Sequence, residues 1–227
     1  MSLIDFIFPR TCHLCGATIP SSVGKEEFLC SACLARLPRT LYHRRKDNPM
    51  EMRFAGIVPF ERATGHFFYS SGSEISQLMQ DLKYRRFRNF ARFMGETVGK
   101  ELGMTGFFSD IDIIIPIPMH FLKKAKRGYN QTEEIAFGLA QATGLPVDRS
   151  LRAIRPHVTQ TSLSLEGRQK NLKDVFALRS NHNLDGKHIL ILDDVCTTGA
   201  TLIEAAETLT KETHNIKVSM LTLGVTF

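Results

Sequence analysis

Ile189-Leu190-Ile191-Leu192-Asp193-Asp194-Val195-Cys196-Thr197-Thr198-Gly199-Ala200-Thr201 is the stretch on which the fold turns. Its opening run of apolar residues predicts a strand buried on both faces, as in a parallel sheet. Two adjacent carboxylates mark the end of that strand, and a small hydroxyl-bearing loop with one glycine opens the helix that follows. In open parallel sheets this is the edge where ligands bind. A helix N-terminus there offers unpaired N–H groups and a positive dipole end, which suit a phosphate. Gly199 permits close backbone approach, and Thr197, Thr198 and Thr201 can add hydroxyl donors. The stretch lacks the Gly-x-x-x-x-Gly-Lys of a P-loop, and it is not a Rossmann fingerprint. Hydrogen bonding to vicinal ribose hydroxyls gives the carboxylate pair a use, on a ligand that carries both a sugar and a 5′-phosphate.

Outward from this stretch, Gly186 and Lys187 introduce the strand 188–192, a helix is expected over 200–211, and a last strand over 217–225. Upstream, 54–60 and 66–69 are rich in β-branched and aromatic residues and predict strands, while 73–83 and 88–102 carry apolar residues at helical spacing. A buried strand at 111–115, a helix at 132–143 closed by Gly144 and a short strand at 151–154 follow. Strands separated by helices imply βαβ crossovers. The fold class is therefore α/β, a mainly parallel sheet flanked by helices on both faces.

With 227 residues and 43% hydrophobic side chains the chain can bury a full core, which excludes disorder. No apolar run approaches the roughly 18 residues of a membrane span. Residues 1–9 carry Asp5 and no Lys or Arg ahead of their few apolar residues, unlike a secretory signal, so a cytoplasmic protein is expected. Cys12-x-x-Cys15 and Cys30-x-x-Cys33, fourteen residues apart, suit tetrahedral zinc, and four thiolates leave no open position for water. That site is read as structural, its loss by Cys30→Ser being expected to leave the main domain folded. The fifth cysteine, Cys196, reads as a small buried filler. The net charge of +6 is concentrated in 34–53, 83–92 and 123–127. The division expected is a zinc module over 1–36, a basic linker over 37–53 and the main domain over 54–227.

Asp193-Asp194-x-x-Thr197-Thr198-Gly199-x-Thr201 after an apolar strand resembles the diphosphoribose-binding motif of the type I phosphoribosyltransferases. That resemblance implies that Asp193 and Asp194 contact the ribose hydroxyls of phosphoribosyl pyrophosphate (PRPP), and that Thr197, Thr198, Gly199, Ala200 and Thr201 cradle its 5′-phosphate. Pro116-Ile117-Pro118 resembles the pyrophosphate loop of the superfamily. Arg127-Gly128-Tyr129-Asn130-Gln131 and the spacing of Gln160, Leu163, Arg168, Asn171 and Phe176, together with the doubled Cys-x-x-Cys, look like the ComF family across essentially the whole chain. Tyr129 stands where that family usually has Phe. The family implies a phosphoribosyltransferase domain and a link to DNA uptake in natural transformation, without naming an acceptor.

In the superfamily's reaction a nucleophile attacks C1 of the ribose as pyrophosphate departs. Mg²⁺ bound with PRPP, and arginines on the departing oxygens, are the expected devices. Arg127 and Arg168 are the candidates, with the polar segment 155–171 as a closing loop. The expected activity is pentosyl transfer. The alternative is a non-catalytic competence factor that uses PRPP only as a ligand while binding single-stranded DNA or serving as a scaffold for a DNA-uptake motor. Residues 83–93 interleave basic and aromatic side chains in a way that suits single strands. At helical spacing, however, Tyr84, Phe87, Phe90 and Phe93 or Met94 recur on one side, so the aromatics are expected to face a core and the arginines solvent. His120, beside the candidate pyrophosphate loop, is a further candidate acid or base.

Overall fold

The computed structural model describes residues 9–20, 27–84, 87–155 and 175–226. Gln160, Leu163, Arg168 and Asn171, with most of the expected closing loop, and Arg85 and Arg86 lie outside the described residues.

The helices are α1 (Ser31–Arg36), α2 (Glu74–Asp81), α3 (Arg88–Gly103), α4 (Phe121–Arg127), α5 (Gln131–Thr143) and α6 (Ala200–Glu212). The strands are β1 (Arg62–Phe68), β2 (Ile113–Pro116), β3 (Leu151–Ala153), β4 (Phe176–Leu178), β5 (His188–Cys196) and β6 (Lys217–Val225). Four strands form a parallel sheet in the order β1-β6-β5-β2. β5 is central, and its alternation divides the interior. Leu190 and Leu192 pack with α2, α3 and α5, whereas Ile189 and Ile191 pack with α6, β3 and β4. All four side chains are fully buried. Each contributes roughly 1.5–3 kcal/mol relative to exposure, which is what holds this strand at the centre.

Local signals place most of the boundaries. Ser73 caps α2 by accepting from the Ser76 N–H, Asn130 caps α5 through the Thr132 N–H, and Gly144 ends α5 at a φ of 75°. α3 and α5 cross at glycines: a Cβ on Gly138 would sit 1.9 Å from the Arg92 carbonyl, and one on Gly95 would sit 2.0 Å from that of Ile135. No larger residue permits that approach.

The structure departs from the sequence reading at three places. Residues 54–60 form turns instead of a strand, because Gly56 takes a φ of 75° and Pro59 interrupts pairing, while Phe54 is pulled into the core. The strand expected at 151–154 pairs antiparallel with β4, outside the main sheet. Helix α4 has no counterpart in the sequence pattern, since it buries no side chain and so carries no periodic apolar face.

The segment 37–53 is fastened along its length. Arg39 forms a bidentate pair with Glu101 of α3, at 2.6 Å for each bond, and Glu101 also accepts from His66 of β1 at 2.9 Å. Buried Asn48 donates to the carbonyls of Tyr42, Arg45 and Ala63.

Candidate functional site at the switch point

After β2 the chain crosses to the face packed by α5, and after β5 it crosses to the opposite face packed by α6. These two strands are neighbours, so the sheet has its topological switch point between them, where a crevice opens at the strand C-termini. Asp193 and Asp194 stand on that edge, both half-buried. The loop beyond them leads through Gly199, at a φ of 84°, into the N-terminus of α6. Asp193 and residues 195–202 line a solvent-open concavity of about 210 Å³. An open concavity at a helix N-terminus suits one phosphate end of a larger ligand. Thr197 and Thr198 are exposed to it, and the Thr198 hydroxyl accepts from the Ala200 N–H at 3.4 Å.

Pro116 ends β2, and the Ile117 N–H donates to the carbonyl of Leu192 at 2.8 Å, which sets the 116–118 loop directly beside Asp193. Asn130 donates to the Ile117 carbonyl at 3.0 Å and so ties this loop to the start of α5. The first turn of α5 then reaches the acids. Gln131 Nε2 donates to Asp194 Oδ2 at 3.0 Å, and its Oε1 accepts from Arg127 Nη1 at 3.4 Å. The Thr132 hydroxyl hydrogen-bonds Asp193. One glutamine therefore joins the candidate arginine to the candidate acid. Burial pushes the Asp193 carboxyl well above the usual carboxylate range, and the charge of Asp194 beside it adds to the effect. Two hard oxygen donors that resist sharing negative charge are a donor set that fits a divalent cation such as Mg²⁺.

Lys123 is a neighbour that the sequence reading passed over. It lies one turn before Arg127 on α4 and is half-buried. Its pKa is lowered by burial and by the charges of Arg127 and Lys83, while Asp194 works against that shift. The signal was its i, i+4 spacing to Arg127 directly after the 116–118 loop. His120, considered as an acid or base, is buried and accepts from the Leu122 N–H at 3.4 Å, which makes it the N-cap of α4. Cys196 is buried, and burial pushes its thiol up to about 11, eased only in part by Arg53.

The cysteine cluster is separate from this edge. The four Sγ atoms of Cys12, Cys15, Cys30 and Cys33 lie within 4.8 Å of one another, and those of Cys15 and Cys30 are 3.8 Å apart. Zinc–sulfur bonds of about 2.3 Å in a tetrahedron require sulfurs about 3.8 Å apart, so these residues fit zinc.

Two family models match: a phosphoribosyl transferase domain over residues 105–221 and a double zinc ribbon domain over residues 3–44. DNA utilization protein YhgH of Escherichia coli O157:H7 is 34% identical over 213 residues, covering 88% of this chain and 91% of that protein. The chain belongs to the ComF family. Among ComF-family names, competence protein F of Haemophilus influenzae is 32% identical over 102 residues, and the match spans 44% of each chain, less than half of that protein's length. Competence protein ComFC of Bacillus subtilis is 28% identical over 111 residues, 49% of this chain and 43% of its own. A crystal structure of adenine phosphoribosyltransferase superposes with a TM-score of 0.37 and 17% identity, over 61% of this chain and 69% of that one. In this ComF-family chain the phosphoribosyl transferase match contains β2, β5 and the loop between β5 and α6. The zinc ribbon match contains all four clustered cysteines. Among the described residues, no helix is long and apolar enough to cross a membrane.

Proposed function

We propose that this protein binds PRPP as a phosphoribosyltransferase-like member of the ComF family, associated with DNA uptake in natural transformation. The observation that carries the reading is the Asp193-Asp194 pair at the switch point, set beside a glycine-led helix N-terminus. Asp193 and Asp194 take the ribose hydroxyls and hold Mg²⁺, and the loop from Thr197 to Thr201 takes the 5′-phosphate. The 116–118 loop lies next to the acids, where the pyrophosphate leaves, with Arg127 and Lys123 on the same side. Mg²⁺, when bound, supplies positive charge to the departing oxygens. Gln131 keeps Asp194 oriented toward the crevice while holding Arg127 close, so that the cation and acid sides of the site move together. Arg168, proposed to neutralise pyrophosphate as well, lies outside the described residues. Zinc in the four-cysteine cluster has a structural role, the protein acts in the cytoplasm, and 54–227 serves as the phosphoribosyltransferase domain.

A second reading is favoured by one surface. Phe90 and Phe93 are buried, but Tyr84 is 60% exposed, and Arg88 and Arg92 reach outward from α3 with side chains 54% and 44% exposed. Both arginines bond the buried carboxylate of Glu134 through Nε, at 2.6 Å each. Two guanidinium groups on one carboxylate leave net positive charge for a phosphate backbone. On this reading PRPP is a ligand of a single-stranded-DNA-binding or motor-scaffold factor. Release of pyrophosphate from PRPP, measured across a panel of bases, nucleosides and single-stranded DNA, decides between the two. Acceptor-dependent release supports transfer, and PRPP binding without release under any acceptor supports the second reading.

A further inference from the structure

The phosphate loop is braced from outside by a residue that the sequence places in a basic linker. Arg53 Nη1 donates to the carbonyl of Thr197 and lies 3.5 Å from that of Cys196, while Nη2 donates to the carbonyl of Thr226. Thr226 completes the bracket: its N–H donates to the Cys196 carbonyl at 3.0 Å and its hydroxyl to the Thr197 carbonyl at 3.3 Å. Next to Arg53, fully buried Phe54 lies under Gly199, where an added Cβ would sit 2.8 Å from the ring. None of these guanidinium contacts is to a charged group.

The consequence follows from peptide geometry. In a planar trans peptide the N–H points away from the carbonyl oxygen. Holding the Cys196 and Thr197 carbonyls toward Arg53 therefore turns the N–H groups of Thr197 and Thr198 the opposite way. A loop whose carbonyls are all free can rotate a peptide and present an oxygen to the ligand, which would repel a phosphate. A guanidinium bonded to two successive carbonyls removes that freedom and adds a full positive charge behind the loop.

We infer that Arg53 is a positioning residue for the phosphate loop, fixing its backbone N–H groups toward a phosphomonoester without touching it. This rests on the proposed PRPP reading and deepens it by extending the site to residues 53–54 and to Thr226, just past β6. The guanidinium is needed for its fork, so Arg53→Lys should recover only part of what Arg53→Gln loses.

Calorimetric titrations of the full-length chain with PRPP and Mg²⁺, ribose 5-phosphate, and pyrophosphate test it in the wild type, Arg53→Gln and Arg53→Lys. Affinity for the two ligands that carry a 5′-phosphate should fall about tenfold or more in Arg53→Gln, with an intermediate loss in Arg53→Lys and unchanged pyrophosphate affinity in both. Equal losses for all three ligands would mean a general structural role and overturn the inference, as would unchanged affinity. Should Arg53→Gln fail to fold, Arg53→Lys alone decides by the same selectivity. A wild-type chain that binds none of the ligands removes the PRPP reading itself, which is distinct from a wild type that binds and an Arg53 variant that binds equally.

Discussion

Gly199 shows what one residue does at this site. Its φ of 84° is a conformation that costs other residues roughly 1–2 kcal/mol, and a side chain there would press on Phe54 at 2.8 Å. Gly199→Ala should lower stability by about 1–3 kcal/mol in urea denaturation and weaken PRPP binding with it. A variant as stable as the wild type would mean that Phe54 moves aside freely. The acids, the threonines and this glycine were readable because they sit together in one short stretch. Their supports were not. Arg53 reaches Thr197 across 144 positions, and Gln131 reaches Asp194 across 63. Arg53 has no signal around it, and Gln131 stood out only as the last residue of the Arg127-Gly128-Tyr129-Asn130-Gln131 motif, which does not disclose its distant partner.

At the scale of elements, the pattern of apolar residues carried the helices α2, α3, α5 and α6 and the strands β2, β5 and β6, because each buries a periodic face. It misled where composition and conformation part company. Residues 54–60 look like a strand, yet Phe54, one of their two aromatic residues, is spent on propping Gly199. The contact of the 37–53 segment with α3 makes a second prediction. Burial acts against the charge of Glu101, but hydrogen bonds and charge from Arg39 and His66 outweigh it and hold its pKa at about 2, below an ordinary value of 4.5. A carboxyl depressed on folding adds stability that is present above its unfolded value and lost as pH falls toward the folded one. Wild-type stability should therefore decline between about pH 4.5 and 2, and Glu101→Gln should flatten that decline while lowering stability at pH 7. Urea denaturation at a series of pH values measures it, and parallel curves for the two proteins would remove Glu101 as the cause.

Across the whole molecule, the zinc module and the sheet domain share one interior. Cys12, Ile19, Leu29, Cys33 and Leu37 belong to the same hydrophobic cluster as Leu78, Phe90 and Phe93. His13 pairs with Asp81 of α2 at 2.8 Å and stacks edge-on against Phe87, and Arg36 pairs with Glu74. The doubled Cys-x-x-Cys disclosed the metal site but not this docking, which depends on how α2 and α3 are packed. Elemental analysis should find one zinc per chain. Its removal by a chelator should lower the melting temperature of the entire protein by roughly 5 °C or more, beyond loosening the N-terminus. A main transition that stays in place after zinc is lost would show that the module merely rests on the domain.

The central claim is that the switch-point edge holds PRPP through its paired acids. Calorimetric titration of PRPP in the presence of Mg²⁺ into the wild type, Asp193→Asn and Asp194→Asn tests it most directly. Each substitution keeps the side-chain shape and removes one negative charge, so affinity should fall by about 1.5–3 kcal/mol, tenfold or more, with the fold intact by circular dichroism. Equal PRPP affinity in all three proteins would contradict the account.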